Sequence, residues 1–332
     1  MSAQATVSGP MPRRLAIALA ALAALLAGCG GGDASSGASV HELTLALDFV
    51  PNAVHAPLFM AVKDHRDREH GLKIDIQQPG GGPDSLKLVA AGRAQLGVLD
   101  IHDLAIARER GTPVVAIGAL VQKPLAALAA RPGIDRPKDL EGKTVGVSGL
   151  PSDPAFLKAI VADDGGDPGK VKQVTIGFNA VTRILTGRVD AAPVFWNAEG
   201  VALKRKGLTP NEFRVDQYGA PPYPEVVLIT SRKTLRERRA DLRNALEAIA
   251  DGERDVAAHP AAAVRTVAAA ARTSDTGLVR AQLDAVRPLF NPPLRLDPAI
   301  LRRWAAFDAR IGIVDRPPDV TSAFDLTLAP RR

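Results

Sequence analysis

The sequence predicts an α/β protein of two similar lobes, each a mostly parallel sheet flanked by helices, joined by two hinge crossings. Three observations predict it. Short apolar strands alternate with helical segments. The order strand, helix, strand, helix, strand occurs twice, beginning at residues 42 and 143. A run of Ala- and Arg-rich helices follows residue 231 and is free to return to the first lobe.

The elements follow in order. Residues 42–49 alternate, with Leu43, Leu45 and Leu47 on one side, as a half-buried strand does. Pro51 and Asn52 interrupt it. Residues 55–69 read as one helix with Leu58, Phe59 and Val62 on a face, stopped by Gly71. A strand at 73–77 and a glycine turn at 80–83 lead to Asp84, the expected N-cap of a helix over 85–91. A strand at 95–99 then delivers Asp100. In the second half, strand 143–147 ends at Ser148 and Gly149, a helix spans 154–163, and a strand spans 171–176. Asn179 caps a helix to 186, and strand 189–195 closes the unit. Strands joined by helices imply parallel pairing with right-handed crossovers.

Residues 121–131 form the first crossing, and the chain turns back near Tyr223 and Pro224 into a buried strand at 226–230. Helices at 235–254, 260–272, 278–289 and 298–311 are expected to pack on lobe one. The resulting divisions are 42–125 for the first part of lobe one, 126–224 for lobe two, and 225–332 for the return.

The N-terminus has a different character. Arg13 and Arg14 precede an apolar run over 15–26, then Leu26-Ala27-Gly28-Cys29. A positive start, an apolar core and small residues at a cleavage point make a bacterial lipoprotein signal. Residues 1–28 are the expected signal peptide, and 29–41 the acylated Cys29 with a flexible linker. The apolar run falls short of the roughly 20 residues that span a bilayer. The expected location is the cell membrane, lipid-anchored on the extracytoplasmic side.

Composition narrows the function. Cys29 is the sole cysteine of 332 residues, so the folded part has no cysteine nucleophile or cysteine metal site. The net charge is +6, or about +4 once Arg13 and Arg14 leave with the signal. Basic and acidic residues are interspersed rather than gathered in a stripe with aromatics, which argues against nucleic acid as a partner. There is no G-x-S-x-G elbow. His41, His55, His65, His70, His102 and His259 form no H-E-x-x-H set. No catalytic residue, cofactor or metal is therefore expected.

Ligands of open α/β sheets bind beyond the carboxyl ends of the strands. Those ends carry Asp48, Phe49, Asn52 and His55, then Asp100, then the loop with Gly149 and Ser152, then Phe195, Trp196, Asn197 and Glu199. Asn197 can cap the helix that holds Glu199 in its first turn. The loop at 148–152 presents backbone N–H groups and can hold a polar or anionic substituent. Two of the nine Phe, two Trp and two Tyr sit together beside a carboxylate at Phe195 and Trp196, where aromatic faces stack flat rings and an acid can hold an N–C–NH2 edge. Tyr223, between prolines at the return crossing, can close over the site or serve the hinge.

Residues 47–59, Leu-Asp-Phe-Val-Pro-Asn-Ala-Val-His-Ala-Pro-Leu-Phe, resemble the opening of substrate-binding proteins of the NMT1/THI5-like, thiamine-pyrimidine-precursor family. Residues 140–148 and Trp196-Asn197-Ala198-Glu199-Gly200 resemble later family segments in the same order. The resemblance implies a type II periplasmic-binding fold acting as a monomer with an ABC permease and ATPase. It implies a formylaminopyrimidine- or hydroxymethylpyrimidine-like ligand, with Glu199 as the recognising acid. Phe195 and Trp196 would form one wall, and Asp48, Phe49 and Asn52 the other. This chain has Phe49 where the family often has Trp, and Phe195 where Tyr is expected. Other small ligands, a flavin-like ring or a sulfonate or nitrate-type anion, are the second reading. Some relatives synthesise the pyrimidine and carry a cysteine-rich stretch, which this chain lacks.

Overall fold

The computed structural model describes residues 40–80, 84–291 and 293–330. The expected signal peptide, Cys29 and nearly all of the linker lie outside the described residues, as do Gly81, Gly82 and Pro83 of the glycine turn.

Leu43 and Leu45 point to one face of strand β1 (His41–Ala46) and Ala46 to the other, so each face of the sheet enters a separate apolar cluster. The first sheet runs β2-β1-β3-β10-β4, from β2 (Leu72–Gln77), β3 (Leu96–Asp100), β4 (Val114–Val121) and β10 (Val226–Ser231). β1, β2 and β3 pair in parallel, whereas β10 is antiparallel to both β3 and β4. β3, β4 and β10 are buried along their whole length. The β4 edge is covered by bridges to Leu294 and Phe324 rather than left to water.

The second sheet runs β7-β6-β8-β5-β9, from β5 (Ala126–Ala130), β6 (Thr144–Val147), β7 (Lys172–Thr175), β8 (Ala191–Phe195) and β9 (Asn211–Arg214). β5 is its antiparallel member. Each sheet is thus mostly parallel with one reversed strand, and that strand directly follows a crossing. The chain leaves the first sheet after Val121 and enters the second at Ala126. It returns between the turn at Val215–Gln217 and Val226.

Several local expectations are corrected. The helix expected over 55–69 is a 3-10 turn (Ala53–His55), α1 (Ala56–Lys63) and α2 (Arg66–Glu69). The break falls at His65, whose φ is 60°, and lets α2 dock through Arg66–Asp255 at 2.8 Å and His70–Asp251 at 2.8 Å. Asp84 precedes α3 (Ser85–Ala90) but makes no side-chain cap. Asn179 makes none to α6 (Ala180–Leu185); its amide donates back to Ile176 O at 3.1 Å. The span expected as a crossing at 121–131 contains β5.

The remaining helices are α4 (Ile101–Glu109), α5 (Asp153–Asp163), α7 (Val201–Arg205), α8 (Arg232–Glu237), α9 (Arg239–Ala258), α10 (Pro260–Ala270), α11 (Thr276–Val286), α12 (Pro298–Arg310) and α13 (Val320–Ala323). α9 lies against α1 so closely that a Cβ at Gly252 would sit 2.2 Å from Pro57 O. α11 reaches the second sheet: Gln282 Nε2 donates to Ala198 O at 3.1 Å, and Asp275 pairs with Arg205 at 3.4 Å. No helix among the described residues is long and apolar enough to cross a membrane.

Candidate functional site

The carboxyl ends of the strands from both sheets line one cleft of about 370 Å³, within the size range of small-molecule sites. From the first sheet come Asp48, Phe49, Asn52, His55 and Asp100; from the second come Gly149, Ser152, Phe195 and Glu199.

The lobe-one wall is built by the loop after β1. Asn52 Oδ1 accepts from Val54 N at 2.8 Å, which starts the 3-10 turn and fixes His55. The Asn52 N–H points at His55 Nδ1 at 3.3 Å, so that nitrogen accepts and Nε2 carries the hydrogen. Nε2 donates to Asp48 Oδ1 at 2.9 Å. His55 is buried and orients Asp48, whose other oxygen is left for the cleft. Asp100 accepts from His102 N at 2.7 Å, capping α4 as well as lining the cleft.

The lobe-two wall differs. Trp196–Gly200 is a π-helical turn, a form that often marks functional sites. It brings Glu199 back to the end of β8, where Glu199 Oε2 accepts from Phe195 N at 3.1 Å. Burial pushes the Glu199 carboxyl up, and its own backbone N–H together with that of Phe195 offsets only part of the shift. Glu199 forms no ion pair among the described residues.

The loop at 148–152 is corrected as an anion cradle. Its donors are spent on Asp153: Oδ2 accepts from Ser148 N at 2.7 Å, Ser148 Oγ at 2.7 Å and Gly149 N at 3.2 Å. Ser152 N crosses to the first lobe and donates to Asp103 Oδ1 at 3.2 Å. Burial raises Asp103 to about 7 and raises Asp153 despite its donors. The cleft therefore holds Asp48, Asp100, Asp103, Asp153 and Glu199, while its lining cations Lys87 and Arg110 are exposed.

Three expected residues fall elsewhere. Trp196 Nε1 donates to Pro124 O at 3.2 Å, and its ring is covered by the Arg214 guanidinium at 4.2 Å, so it pins β8 to the crossing. Asn197 is buried inside the π turn rather than capping it, and its side-chain amide has no partner among the described residues. Tyr223 is fully buried, with its ring edge-on to His102 at 4.8 Å. The aromatic that sequence reasoning missed is Phe178. Its ring lies 4.1 Å from Phe49 across the cleft. It sits between β7 and α6, two short elements whose pairing with residue 49 no spacing reveals.

The two-lobed fold with a shared cleft is that of periplasmic binding proteins. The alkanesulfonate-binding protein SsuA from Xanthomonas axonopodis pv. citri, solved with MOPS, superposes with a TM-score of 0.69 at 17% identity, covering 86% of this chain and 98% of that one. The chain belongs to the NMT1/THI5-like family, whose model matches residues 52–263. It is 34% identical over 215 residues to the formylaminopyrimidine-binding protein of Halalkalibacterium halodurans, spanning 64% of this chain and 65% of that protein's length. It is 30% identical over 182 residues to a 4-amino-5-hydroxymethyl-2-methylpyrimidine phosphate synthase of Legionella pneumophila, spanning 53% and 56% respectively.

Proposed function

We propose that this chain is the solute receptor of an ABC importer, anchored outside the cytoplasmic membrane through a lipid on Cys29. Its two lobes close on an aminopyrimidine of the thiamine-precursor class, formylaminopyrimidine or hydroxymethylpyrimidine, and hand it to a permease driven by an ATPase. The receptor acts as a single chain, and no bond is made or broken.

The observation that carries this reading is Glu199, a half-buried carboxylate at the cleft with only the backbone N–H groups of Phe195 and of its own residue and no cation among the described residues. A guest presenting a ring nitrogen and an amino group supplies the missing donors. Asp48, held by His55, meets further donors from the opposite side, and Asn52 keeps that wall in register. Phe49, Phe178 and Phe195 supply flat faces for a ring. The name of the Halalkalibacterium relative supports the same class of ligand.

A sulfonate or nitrate-type anion fits poorly, because the loop N–H groups already serve Asp153 and the lining acids outnumber the cations. A synthase activity like that named for the Legionella relative is disfavoured by the single cysteine, which stands at position 29. Calorimetry of the purified chain against formylaminopyrimidine, hydroxymethylpyrimidine, riboflavin and an alkanesulfonate tests the proposal. The pyrimidines are expected to bind and the sulfonate not to. Tight sulfonate binding with no pyrimidine binding would overturn it. For the anchor, Cys29→Ser is expected to move the protein from the membrane to the soluble fraction.

A further inference from the structure

Beneath the cleft floor, where the chain crosses between sheets, three buried side chains converge. Asp100, His102 and Glu225 each offer a ligand atom, and these atoms lie within 4.8 Å of one another. We propose that they bind a divalent first-row metal ion, Zn2+ by the chemistry of one imidazole and two carboxylates.

The surroundings fix one atom of each group and leave another free. His102 Nδ1 is bonded to Asp308 Oδ1 at 2.6 Å, and both residues are fully buried. A metal-binding histidine almost always has its second ring nitrogen held by a carboxylate or carbonyl in this way. His102 Nε2 is buried with no hydrogen-bond partner among the described residues. Glu225 Oε2 accepts from the backbone N–H groups of Leu125 and Ala126, the latter at 2.9 Å, while its Oε1 has no donor among the described residues, and its carboxyl lies within hydrogen-bonding reach of that of Asp100. Asp100 Oδ1 is taken by His102 N at 2.7 Å. The Tyr223 hydroxyl, on the ring packed edge-on to His102, is also buried without a partner among the described residues. Unpartnered buried polar atoms are rare in folded proteins, and here several gather around one point.

Charge argues the same way. Asp100, Glu225 and Asp308 are carboxylates out of water with a single imidazole among them, so the cluster needs neutralising, by a bound cation or by protons. Zinc takes nitrogen and carboxylate oxygen at about 2.0–2.2 Å in a tetrahedral arrangement, and a cluster of this span closes onto it with side-chain adjustments. The ion would tie three pieces together: the end of β3, the start of α4 and the return crossing through Glu225. Glu225 in turn holds the outgoing crossing at Leu125 and Ala126. The bound ion would stiffen both connections about which the lobes move, without touching Glu199.

The test uses the purified full chain, stripped with a chelator, loaded with Zn2+, freed of excess metal and analysed by mass spectrometry for zinc. About one zinc per chain is expected, with a higher melting temperature than the chelator-treated protein. Asp308→Asn is expected to weaken zinc binding about 10–100-fold by releasing the imidazole. His102→Gln is expected to abolish it. Circular dichroism establishes that each variant is folded. Zinc retention below about 0.1 per wild-type chain, with the same melting temperature with or without metal, overturns the proposal and leaves protons to neutralise the cluster. Unchanged zinc binding in folded His102→Gln also overturns it. Pyrimidine calorimetry is a separate measurement, so either reading can fail alone.

Discussion

On the lobe-one wall, Asp48 has His55 and His55 has the Asn52 N–H; on the lobe-two wall, Glu199 has, among the described residues, only the backbone N–H groups of Phe195 and of its own residue. The first wall is a finished hydrogen-bond chain that sets the aim of a single acid. The second carries an acid whose remaining lone pairs must be met from outside the protein. Lobe two can satisfy a buried carboxylate when the role is structural. Asp153, one strand end away, takes three donors from its own loop. The contrast separates an acid that holds the scaffold from an acid that reads a guest.

Asp153→Ala breaks the scaffold side of that contrast and carries the largest expected effect. Removing an acceptor shared by three donors should cost about 3 kcal/mol of stability, near 1 kcal/mol per bond lost, measured by urea unfolding. It should also free Ser148 and Gly149 N–H groups for anions, so a folded variant is expected to gain weak alkanesulfonate binding. A loss under about 0.5 kcal/mol would mean that water replaces the carboxylate at no cost.

Glu199→Gln tests the reading side. The amide keeps the bond from Phe195 N but loses a charge-assisted contact to the guest, so pyrimidine affinity should fall by about 1–3 kcal/mol with stability nearly unchanged. His55→Gln acts one step removed, by loosening Asp48, and should cost about 1 kcal/mol of affinity by calorimetry. A larger loss for His55→Gln than for Glu199→Gln would reverse the roles assigned to the two walls.

Most of this architecture was legible because its strands carry signals. Alternation marks β1, and Gly71, Gly92, Gly149 and Gly187 mark the stops. The three missed strands carry none of these. β4 is a continuous apolar run and β5 is Ala-Ala-Leu-Ala-Ala, both buried on two faces, while β9 is four residues long. Missing β5 hid the reversed strand of the second sheet. The acids at strand ends were legible by position. Trp196 and Asn197 were misplaced because the π turn shifts the phase in which side chains meet the cleft. Tyr223 stands beside a hinge in sequence, but burial turned it into the interior. The Asp100–His102–Glu225 cluster joins residues more than a hundred positions apart, so no motif spacing announces it.

Glu253 supplies the control for Glu199, with the smallest expected effect on affinity. It is a carboxylate more deeply buried than Glu199, with no ion pair and no partner for either oxygen among the described residues. It lies on α9, in the turn packed against α1, and does not line the cleft. Burial holds its pKa well above the usual carboxylate range, with Arg254 opposing only in part. A carboxyl whose folded pKa is raised contributes its full stability below the unfolded pKa and loses it as pH rises through the folded pKa. Glu253→Gln should therefore match the wild type in stability near pH 4. It should exceed it at pH 8 by about 1.4 kcal/mol for each unit by which the folded pKa lies above the unfolded one, because the amide does not ionise. Pyrimidine affinity should not change. If Glu253→Gln left the pH dependence of unfolding unaltered, the acid would have a partner or water in solution, and isolation of a buried carboxylate would lose its value as the mark that distinguishes Glu199.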